Sequence, residues 1–413
     1  PPRAFRGERP MNAAPWIAVV AGLVFAPELL HSTWALTLLS QIGIATIACL
    51  SFNLLLGQGG MLSFGHATYT GLGAYGAIHT LNAARAAGVD FPVSLIPLAG
   101  GISGLVAASV LGFLSSRRGG TALAMVTLGL AELVFSVALM GFAFFGGESG
   151  IAGNRVTESA PWGVTFASPV EMYYLIAAYA LLSTVALYAL TTTPWGKMLN
   201  AVRDNAMRVE FLGTNPQTIR YRAFLFSAFF AGISGGLAAL LFERVTPDAL
   251  GLERSASLVL FTYLGGIQSF IGPVVGAVLM VLANVGLSSL TPAWLLYVGL
   301  AFVFGVMFAP QGLTGLLQTA MAQPWTFYVR YSVILLALFM SLGVALIGIA
   351  ALVEMAYQLQ LEASLGPNVA FGAFQLHINR WQDWAAAFAV ALSGGWLFLR
   401  LRHALIERMG VKA

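Results

Sequence analysis

Long apolar segments alternate with short polar ones along almost the whole chain. A bilayer core of about 30 Å needs roughly 20 helical residues to cross it. Apolar segments near that length occur at about 15–30, 34–56, 61–80, 92–115, 121–146, 169–191, 223–242, 292–310, 328–353 and 384–400. A further run, 255–289, is too long for one crossing, and "LGGIQSFIGP" divides it into 255–270 and 271–289. The pattern predicts an all-α, polytopic transmembrane helical bundle of about twelve crossings.

The composition places these segments in a membrane. Of the 413 residues, 58% are hydrophobic and only 9% are charged, whereas a soluble domain is about 25% charged. A soluble fold of this length could not bury so much apolar surface. The single cysteine, Cys49, lies inside an apolar run, so no intramolecular disulfide is possible and the thiol is expected to fill the core. The net charge of +4 does not indicate nucleic-acid binding, because the basic residues stand beside the apolar segments.

The basic residues orient the predicted crossings. They cluster before the first apolar segment, after the fourth, after the sixth and at the end of the chain: Arg3, Arg6, Arg9, Arg117, Arg118, the segment 195–222, Arg400, Arg402, Arg408 and Lys412. Cytoplasmic loops carry an excess of Lys and Arg, so a cytoplasmic N-terminus puts every cluster on the cytoplasmic side if 255–289 crosses twice. The first segment contains Pro15 and Pro27 and lacks a small-residue cleavage motif, so it is expected to be a retained helix.

Two glycine-rich interruptions have similar sequences in the two halves of the chain. The first is "NLLLGQGGMLSFGHATYTGLGAYG" at 53–76, and the second is "FTYLGGIQSFIGPVVGAVLM" at 261–280. Each has a glycine cluster followed by Ser-Phe. Paired interruptions of this kind in a transporter point to its translocation pathway, although small residues also simply let membrane helices pack closely.

Polar side chains accompany both interruptions, and buried polar groups need partners that a solute pathway or a neighbouring helix supplies. We therefore assign to the pathway Gln58, Ser63, His66 and Tyr69 at the first interruption and Tyr263 and Gln268 at the second. A lone intramembrane histidine such as His66 is more often a packing residue than a ligand. No second histidine or carboxylate stands at metal-ligand spacing from it, so no metal site is expected.

Glu132 lies near the middle of the apolar run 121–146. A carboxylate in the membrane interior is costly, so it serves either a structural hydrogen bond or the solute pathway, to which we also assign it. In both cases we expect a hydrogen-bond partner on another helix.

The motifs of several enzyme classes are missing from the sequence. It contains no G-x-x-x-x-G-K-[ST], so the chain is not expected to bind ATP through a P-loop, and no G-x-S-x-G, C-x-x-C or H-E-x-x-H. We therefore predict no catalytic residues and no cofactor on this chain. Energy for transport would come from another subunit or from an ion gradient.

The most polar long stretch, "TPWGKMLNAVRDNAMRVEFLGTNPQTIRYRAF" at 193–224, separates two apolar segments. Its apolar residues recur at three- and four-residue steps, which predicts one amphipathic helix from about 197 to 213, with an Asp204–Arg208 pair on its surface. Gly213 suits the end of that helix, and Pro216 the start of the next after Asn215 or Thr214. A helix of this kind fits a groove on a soluble partner. The predicted coupling residues are Val202, Arg203, Asp204, Ala206, Arg208, Val209, Glu210 and Gly213.

These motifs together resemble the LivM-type permeases of bacterial ABC importers for branched-chain amino acids. The resemblance covers about 34–318 and is carried, in order, by "NLLLGQGGMLSFGHATYTGLGAY", "VTLGLAELV", "GKMLNAVRDNAMRVEFLGTNPQTIRYRAFLFSAFFAGISGGLAA", "YLGGIQSFIGPVVGA" and "FAPQGLTGLL". It implies a multi-pass permease subunit in the bacterial inner membrane, with the N-terminus and the coupling segment, about 195–222, in the cytoplasm. It also implies a LivH-like second permease subunit, two LivG/LivF-like ATPase subunits that hold ATP and Mg²⁺, and a periplasmic substrate-binding protein.

The sequence departs from this family in two respects. The family commonly has a basic residue shortly after the intramembrane glutamate, and "ELVFSV" has none. Residues 325–413 extend past the usual ending with about two more apolar segments, so we divide the chain into a permease domain, 1–324, and a C-terminal extension, 325–413. Relatives also carry urea, short amides or aromatic carboxylates, and an ion-coupled transporter that uses Glu132, or a non-transporting scaffold, remains open.

Overall fold

The computed structural model describes residues 13–29, 32–89, 91–156, 165–309, 311–321, 325–361, 368–371 and 374–408. Its contacts divide the chain into two compact units. The larger unit comprises Pro1–Leu287 with Ala301–Leu316, and the smaller one Ser288–Leu300 with Leu317–Ala413. The contacts thus group 288–300 with the C-terminal part, and the domain boundary after residue 324 stays a prediction.

Helices dominate the described residues, which confirms the all-α prediction. The larger unit begins with α1 Ala13–Leu29, α2 Thr33–Asn53, α3 His66–Ala86, α4 Ile96–Ser116, α5 Thr121–Met140, α6 Phe142–Phe145, α7 Pro169–Thr192, α8 Pro194–Asp204, α9 Ala206–Phe211, α10 Pro216–Phe242, α11 Leu252–Gly265 and α12 Gly272–Val281. Then follow α13 Ser288–Leu290, α14 Trp294–Phe308, α15 Gly312–Met321, α16 Trp325–Leu361 and α17 Trp381–Arg408. Two short antiparallel pairs join β1 Ile151–Ala152 to β2 Arg244–Val245, and β3 Asn368–Phe371 to β4 Phe374–His377.

The number of complete crossings is lower than the sequence predicted. Among the described residues, eight helices are long and apolar enough to cross a membrane, or nine if the bent pair Trp294–Met307 and Gly312–Met321 counts as one span. The prediction of about twelve was therefore wrong. The apolar segments 15–30, 61–80 and 255–270 do form helices, but α1 and α11 are short, at 17 and 14 residues, and α3 begins only at His66.

Helices α3, α4 and α10 cross at glycines. A Cβ atom added at Gly73 would lie 2.4 Å from the Cα of Gly232, and one added at Gly100 would lie 2.7 Å from the Gly232 carbonyl oxygen. A Cβ on Gly235 would lie 1.8 Å from the Thr70 carbonyl oxygen. Only hydrogen side chains permit this approach, and small residues are how membrane helices gain close packing. The three helices therefore form a tightly fixed centre in the larger unit.

The C-terminal end of α10 is held by Arg155. The Arg155 guanidinium donates hydrogen bonds to the carbonyl oxygens of Leu240 and Leu241, at 2.9 and 3.0 Å, and of Phe166, at 3.0 Å. Its backbone N–H donates to the Glu243 carboxylate at 3.0 Å. The last carbonyls of a helix have no partner within the helix, so Arg155 supplies it and ties the end of α10 to two loops.

The smaller unit is built on α16 and α17, which pack through small residues. A Cβ on Gly348 would lie 2.4 Å from the backbone nitrogen of Ala391, and one on Gly394 would lie 2.5 Å from that of Ala345. On the other side of α16, the Glu354 carboxylate accepts hydrogen bonds from Thr291 and Tyr297. The predicted extension thus contains its own helix pair with satisfied polar groups.

Candidate functional site

The first interruption is a bend between α2 and α3. Helix α2 widens into one π-helical turn, Leu54–Gln58, and seven residues then return the chain to the start of α3 at His66. Gly60 has a φ of +63°, a left-handed conformation that suits glycine. The Ser255 hydroxyl of α11 accepts the N–H of Ala67 at 3.0 Å, which satisfies one free donor at the start of α3. The predicted break is therefore real and is supported by a neighbouring helix.

The second interruption is a tight turn between α11 and α12. Gly266, with a φ of +119°, ends α11. The Thr314 hydroxyl donates to the Gly265 carbonyl oxygen at 2.8 Å, and the Ser269 hydroxyl donates to Thr314 at 3.1 Å. The Ser269 oxygen also accepts the N–H of Gly272 at 3.0 Å. The backbone N–H and C=O groups of an irregular segment inside a membrane protein need hydrogen-bond partners. Ser269 and Thr314 therefore replace the helical hydrogen bonds that are lost at this turn.

The two interruptions contact each other. A Cβ on Gly57 would lie 2.5 Å from the Ile267 carbonyl oxygen, and Phe270 packs in one apolar cluster with Leu54 and Leu55. The sequence likeness between the two halves thus corresponds to one place in the fold.

Helix α8 packs directly against the first interruption. The Arg203 guanidinium donates a hydrogen bond to the Gly57 carbonyl oxygen at 2.6 Å and forms a salt bridge with Asp204 at 3.0 Å. A Cβ on Gly60 would lie 2.5 Å from the Arg203 Cγ, and one on Gly59 3.2 Å from Leu199. A carbonyl at a helix break needs a donor, and the coupling segment provides that donor.

The coupling segment forms two helices and not the single helix that the sequence predicted. Asn205, with φ and ψ of −161° and 100°, interrupts it, and the Asn205 side chain caps α9 by accepting the N–H of Arg208 at 3.0 Å. The expected Asp204–Arg208 pair was also wrong, since Asp204 pairs with the adjacent residue Arg203. Because the three- and four-residue steps continue through the interruption, the apolar pattern alone could not reveal it.

The end of this segment follows the prediction. Helix α9 ends at Phe211, and Gly213 has a φ of +82°. The N–H of Gly213 donates to Glu210 and that of Thr214 to Val209, the two bonds of a Schellman motif. Asn215 caps α10 by accepting the N–H of Gln217 at 2.8 Å, and Pro216 is its first residue. The turn is thus fixed by local hydrogen bonds at both ends.

The apolar stripe of the segment is buried against the chain itself. Val202 and Val209 pack, with Leu199, among residues of α2, α7 and α10, and Ala206 packs at the edge of this cluster. These side chains are therefore not free to enter the groove of a partner, which corrects the role that the sequence analysis gave them. The apolar residues that remain exposed are Met207 at 68%, Phe211 at 85% and Leu212 at 75%.

The predicted pathway residues differ in exposure. Gln58, Ser63, His66 and Tyr69 are buried within the larger unit, Tyr263 is half-buried and Gln268 is exposed. His66 lies 2.9 Å from the Ser51 hydroxyl through its Nε2 atom and meets the rings of Phe52 and Tyr69 edge-on. The assignment of these residues to the pathway stays a prediction.

Accessibility to a polar thiol reagent separates these positions. In a background with Cys49→Ala, we expect Gln268→Cys to react readily and His66→Cys to react at least about tenfold more slowly. The reason is that Gln268 is exposed in this chain, whereas His66 is buried. The rates are measured by mass spectrometry of the purified protein. Fast reaction at His66→Cys would mean that the first interruption opens to water.

Glu132 is exposed on α5, and no group in the described part of the chain forms a hydrogen bond with it. The partner expected on another helix is thus not found among the described residues. The place of Glu132 in the pathway stays a prediction.

The cavities in the described part of the larger unit include an apolar cleft and a smaller crevice. The cleft of about 340 Å³ lies between α1, α2, α7 and α12. Its lining is almost wholly apolar, and Thr46 and Thr184 add two hydroxyl groups. A smaller crevice of about 60 Å³ is lined by residues of α2, α3, α10, α11 and α12, among them Arg254. Arg254 was not among the predicted site residues, although a cation at the edge of the apolar run 255–270 is a visible sequence signal. In the described ranges, no group of three His, Cys, Asp or Glu residues could hold a metal ion.

Comparison with known proteins gives a consistent result. The model of a family described as "Branched-chain amino acid transport system / permease component" matches residues 34–321, which include both interruptions and the segment α8–α9. The chain is 30% identical over 291 residues to the high-affinity branched-chain amino acid transport system permease protein LivM of Salmonella typhimurium, covering 65% of this chain and 67% of that relative. It is 28% identical, with the same coverage, to LivM of Escherichia coli. No solved structure matches the chain.

Proposed function

The chain belongs to the family of permease components of branched-chain amino acid transport systems, and from this premise we propose that it carries branched-chain amino acids across the bacterial inner membrane. Both relatives are described as permeases for these solutes. It acts as a transport subunit and not as an enzyme.

The energy and the solute are supplied by partner chains. Two LivG/LivF-like ATPase subunits bind and hydrolyse ATP with Mg²⁺, a LivH-like permease subunit completes the membrane part, and a periplasmic binding protein delivers the solute. This chain binds no cofactor itself. Its N-terminus and the segment α8–α9 lie on the cytoplasmic side, in agreement with the clustering of basic residues.

One observation carries this proposal: the segment between two membrane helices touches the place where both broken helices meet. Arg203 of α8 donates to the Gly57 carbonyl of the first interruption, and Gly57 abuts Ile267 of the second. A displacement of α8 therefore reaches both interruptions through directly packed groups. ATP-driven movement at the cytoplasmic face is transmitted to the solute pathway by this route.

The ATPase contacts a patch on α9 and the turn after it. Met207, Phe211 and Leu212 expose their apolar side chains there, and the charged residues Arg208 and Glu210 beside them are also exposed. Exposed aromatic and aliphatic side chains with a charged rim are typical of the centre of a protein interface. The patch replaces the buried stripe as the surface that a partner can reach, and the buried stripe holds α8 and α9 on the membrane helices.

Replacing Phe211 with aspartate tests this patch. We expect Phe211→Asp to lose the ATPase subunits during purification of the tagged complex, because a charge is placed at the centre of an apolar contact, while the chain itself remains folded. Val89→Asp is the matched control, since Val89 is an equally apolar exposed residue, 59% exposed, in the loop after α3. Full retention of the ATPase by Phe211→Asp would contradict the patch. Ala206→Asp, in contrast, should destabilise the chain itself, because Ala206 is partly buried against the core cluster.

The source of energy is tested by uptake into reconstituted vesicles. Leucine uptake by the complex with the ATPase subunits and the binding protein should require ATP and survive collapse of the proton gradient. Uptake that instead needs the gradient and not ATP would favour the second candidate, an ion-coupled transporter that uses Glu132. The exposure of Glu132, which has no partner among the described residues, is what keeps that candidate in consideration.

A further inference from the structure

The crevice beside Arg254 lies between α2, α3, α10, α11 and α12. It is lined by polar and small residues, among them Ala48, Thr70, Ser234, Gly235 and Arg254, and by apolar ones such as Met280. Ser234 precedes the end of the candidate span Pro216–Phe242 by eight residues, which is about 12 Å of helix. Ala48 is farther from both ends of the span Thr33–Gln58. Arg254 is exposed in this chain, and its side chain lines this crevice between the helices.

No described residue of this chain balances the charge of Arg254. In the described ranges, the two salt bridges join Arg155 to Glu243 and Arg203 to Asp204. Arg254 has no hydrogen bond or ion pair there, even with its neighbour Glu253. An arginine inside a membrane domain is costly and is normally paired or turned to a water-filled cavity. Because Arg254 is exposed and has no partner among the described residues, an anion from outside the chain can reach it.

The hydroxyl groups of the crevice suit a cationic group beside that anion. The Thr70 hydroxyl donates its proton to the Ala67 carbonyl oxygen, and the Ser234 hydroxyl donates to that of Ile44, both at 3.0 Å. Each hydroxyl proton is thus used, and each oxygen presents its lone pairs as acceptors. A guanidinium binds a carboxylate with two parallel hydrogen bonds, and two acceptor oxygens suit an ammonium group.

We propose that Arg254 binds the carboxylate of the amino-acid solute during its passage, with Thr70 and Ser234 facing its ammonium group. This inference rests on the proposed function of the chain. A volume of about 60 Å³ holds about two water molecules, so in this state it admits the charged end of the solute and not its side chain. The contact is therefore a step of the passage, and the apolar side chain lies outside the crevice.

Thiol chemistry tests the crevice without any need for transport. In the Cys49→Ala background, Thr70→Cys is treated with methanethiosulfonate reagents of similar size, one carrying a sulfonate and one a trimethylammonium group. With Arg254 present the anionic reagent should react faster, and Arg254→Gln should lower the ratio of the two rates about tenfold, because a nearby charge attracts one reagent and repels the other. Thr184→Cys is the control, since it makes the same change in the apolar cleft, which no charged side chain lines. An unchanged ratio at Thr70→Cys would overturn the proposal.

Transport by the complete complex tests the ligand. Arg254→Gln should lower the leucine imported per ATP hydrolysed about tenfold, and Arg254→Lys should restore part of it, because lysine keeps the charge but not the two-pronged geometry. Loss of the second permease subunit from Arg254→Gln would show that Arg254 pairs with a carboxylate of that subunit and would overturn the proposal, as would unaltered transport. If the unmodified complex imports no leucine with ATP, the proposed function fails and the amino-acid ligand with it, whereas the thiol result still reports whether Arg254 attracts anions.

Discussion

Replacing Gly232 with valine is expected to prevent the larger unit from folding. A Cβ atom at this position would lie 2.3 Å from the Gly100 carbonyl oxygen and 3.0 Å from the Gly101 Cα. Backbone atoms of a packed helix cannot move aside as a flexible side chain can, so α4 and α10 would have to separate. Overpacking of this kind exceeds the usual cost of about 1–3 kcal/mol, and the loss of native protein is measured by size exclusion in detergent.

Gly129→Val is the matched control for this substitution. Gly129 also lies within a membrane helix, α5, but nothing lies within 4 Å of the position that its Cβ atom would occupy. The variant should therefore be produced and elute like the wild type. If Gly129→Val and Gly232→Val behave alike, the close approach of α4 and α10 is not what fixes the fold.

Replacing Arg203 with glutamine is expected to separate ATP hydrolysis from uptake. The hydrogen bond to the Gly57 carbonyl and the salt bridge with Asp204 are lost together, so α8 and the first interruption no longer move as one. A buried carbonyl that loses a charged donor costs about 1–3 kcal/mol, a factor of roughly 5 to 150 in an equilibrium constant. We expect the leucine imported per ATP hydrolysed to fall within that range. Both rates are measured on the same reconstituted vesicles.

Lys197→Gln is the control for the loss of positive charge on α8. Lys197 lies on the same helix but is exposed, so its loss should leave the ratio of uptake to hydrolysis near that of the wild type. Arg203→Lys should be intermediate, since its ammonium can reach one acceptor but cannot reproduce the planar fork. If Arg203→Gln imports as much leucine per ATP as the wild type, this contact does not transmit the motion.

The sequence predicted correctly those helix ends that depend on the backbone preferences of single residues. Gly213 and Pro216 mark a helix end and a helix start through their own backbone preferences, and the structure has both in the expected places. The interruption at Asn205 carried a signal as well, because asparagine is a favoured N-cap. The prediction missed it because the apolar residues of α8 and α9 continue the same three- and four-residue spacing across Asn205.

Long-range features were harder to predict. The apolar stripe through Val202 and Val209 predicted that something covers it, but periodicity cannot distinguish a partner from the chain's own membrane helices, which cover it here. The predicted number of crossings was wrong for a related reason. Hydropathy measures only how apolar a segment is, so it cannot distinguish a complete crossing from half of a broken helix such as α11. The site depends on contacts such as Arg203 to Gly57, 146 residues apart, which no local pattern encodes.

The fastening of α10 by Arg155 makes α10, together with α3 and α4 that pack against it, a lever with one end fixed. The 27 residues of α10 span about 40 Å. At one end its last carbonyls are held by the Arg155 guanidinium, and at the other it continues through a hydrogen-bonded turn into α9. A tilt of about 5° around the fixed end would swing the α9 end by about 3.5 Å over that length. The stroke of an ATPase would thus be largest where it is applied and smallest at the opposite face, so the landing surface for a binding protein would stay nearly still throughout the cycle.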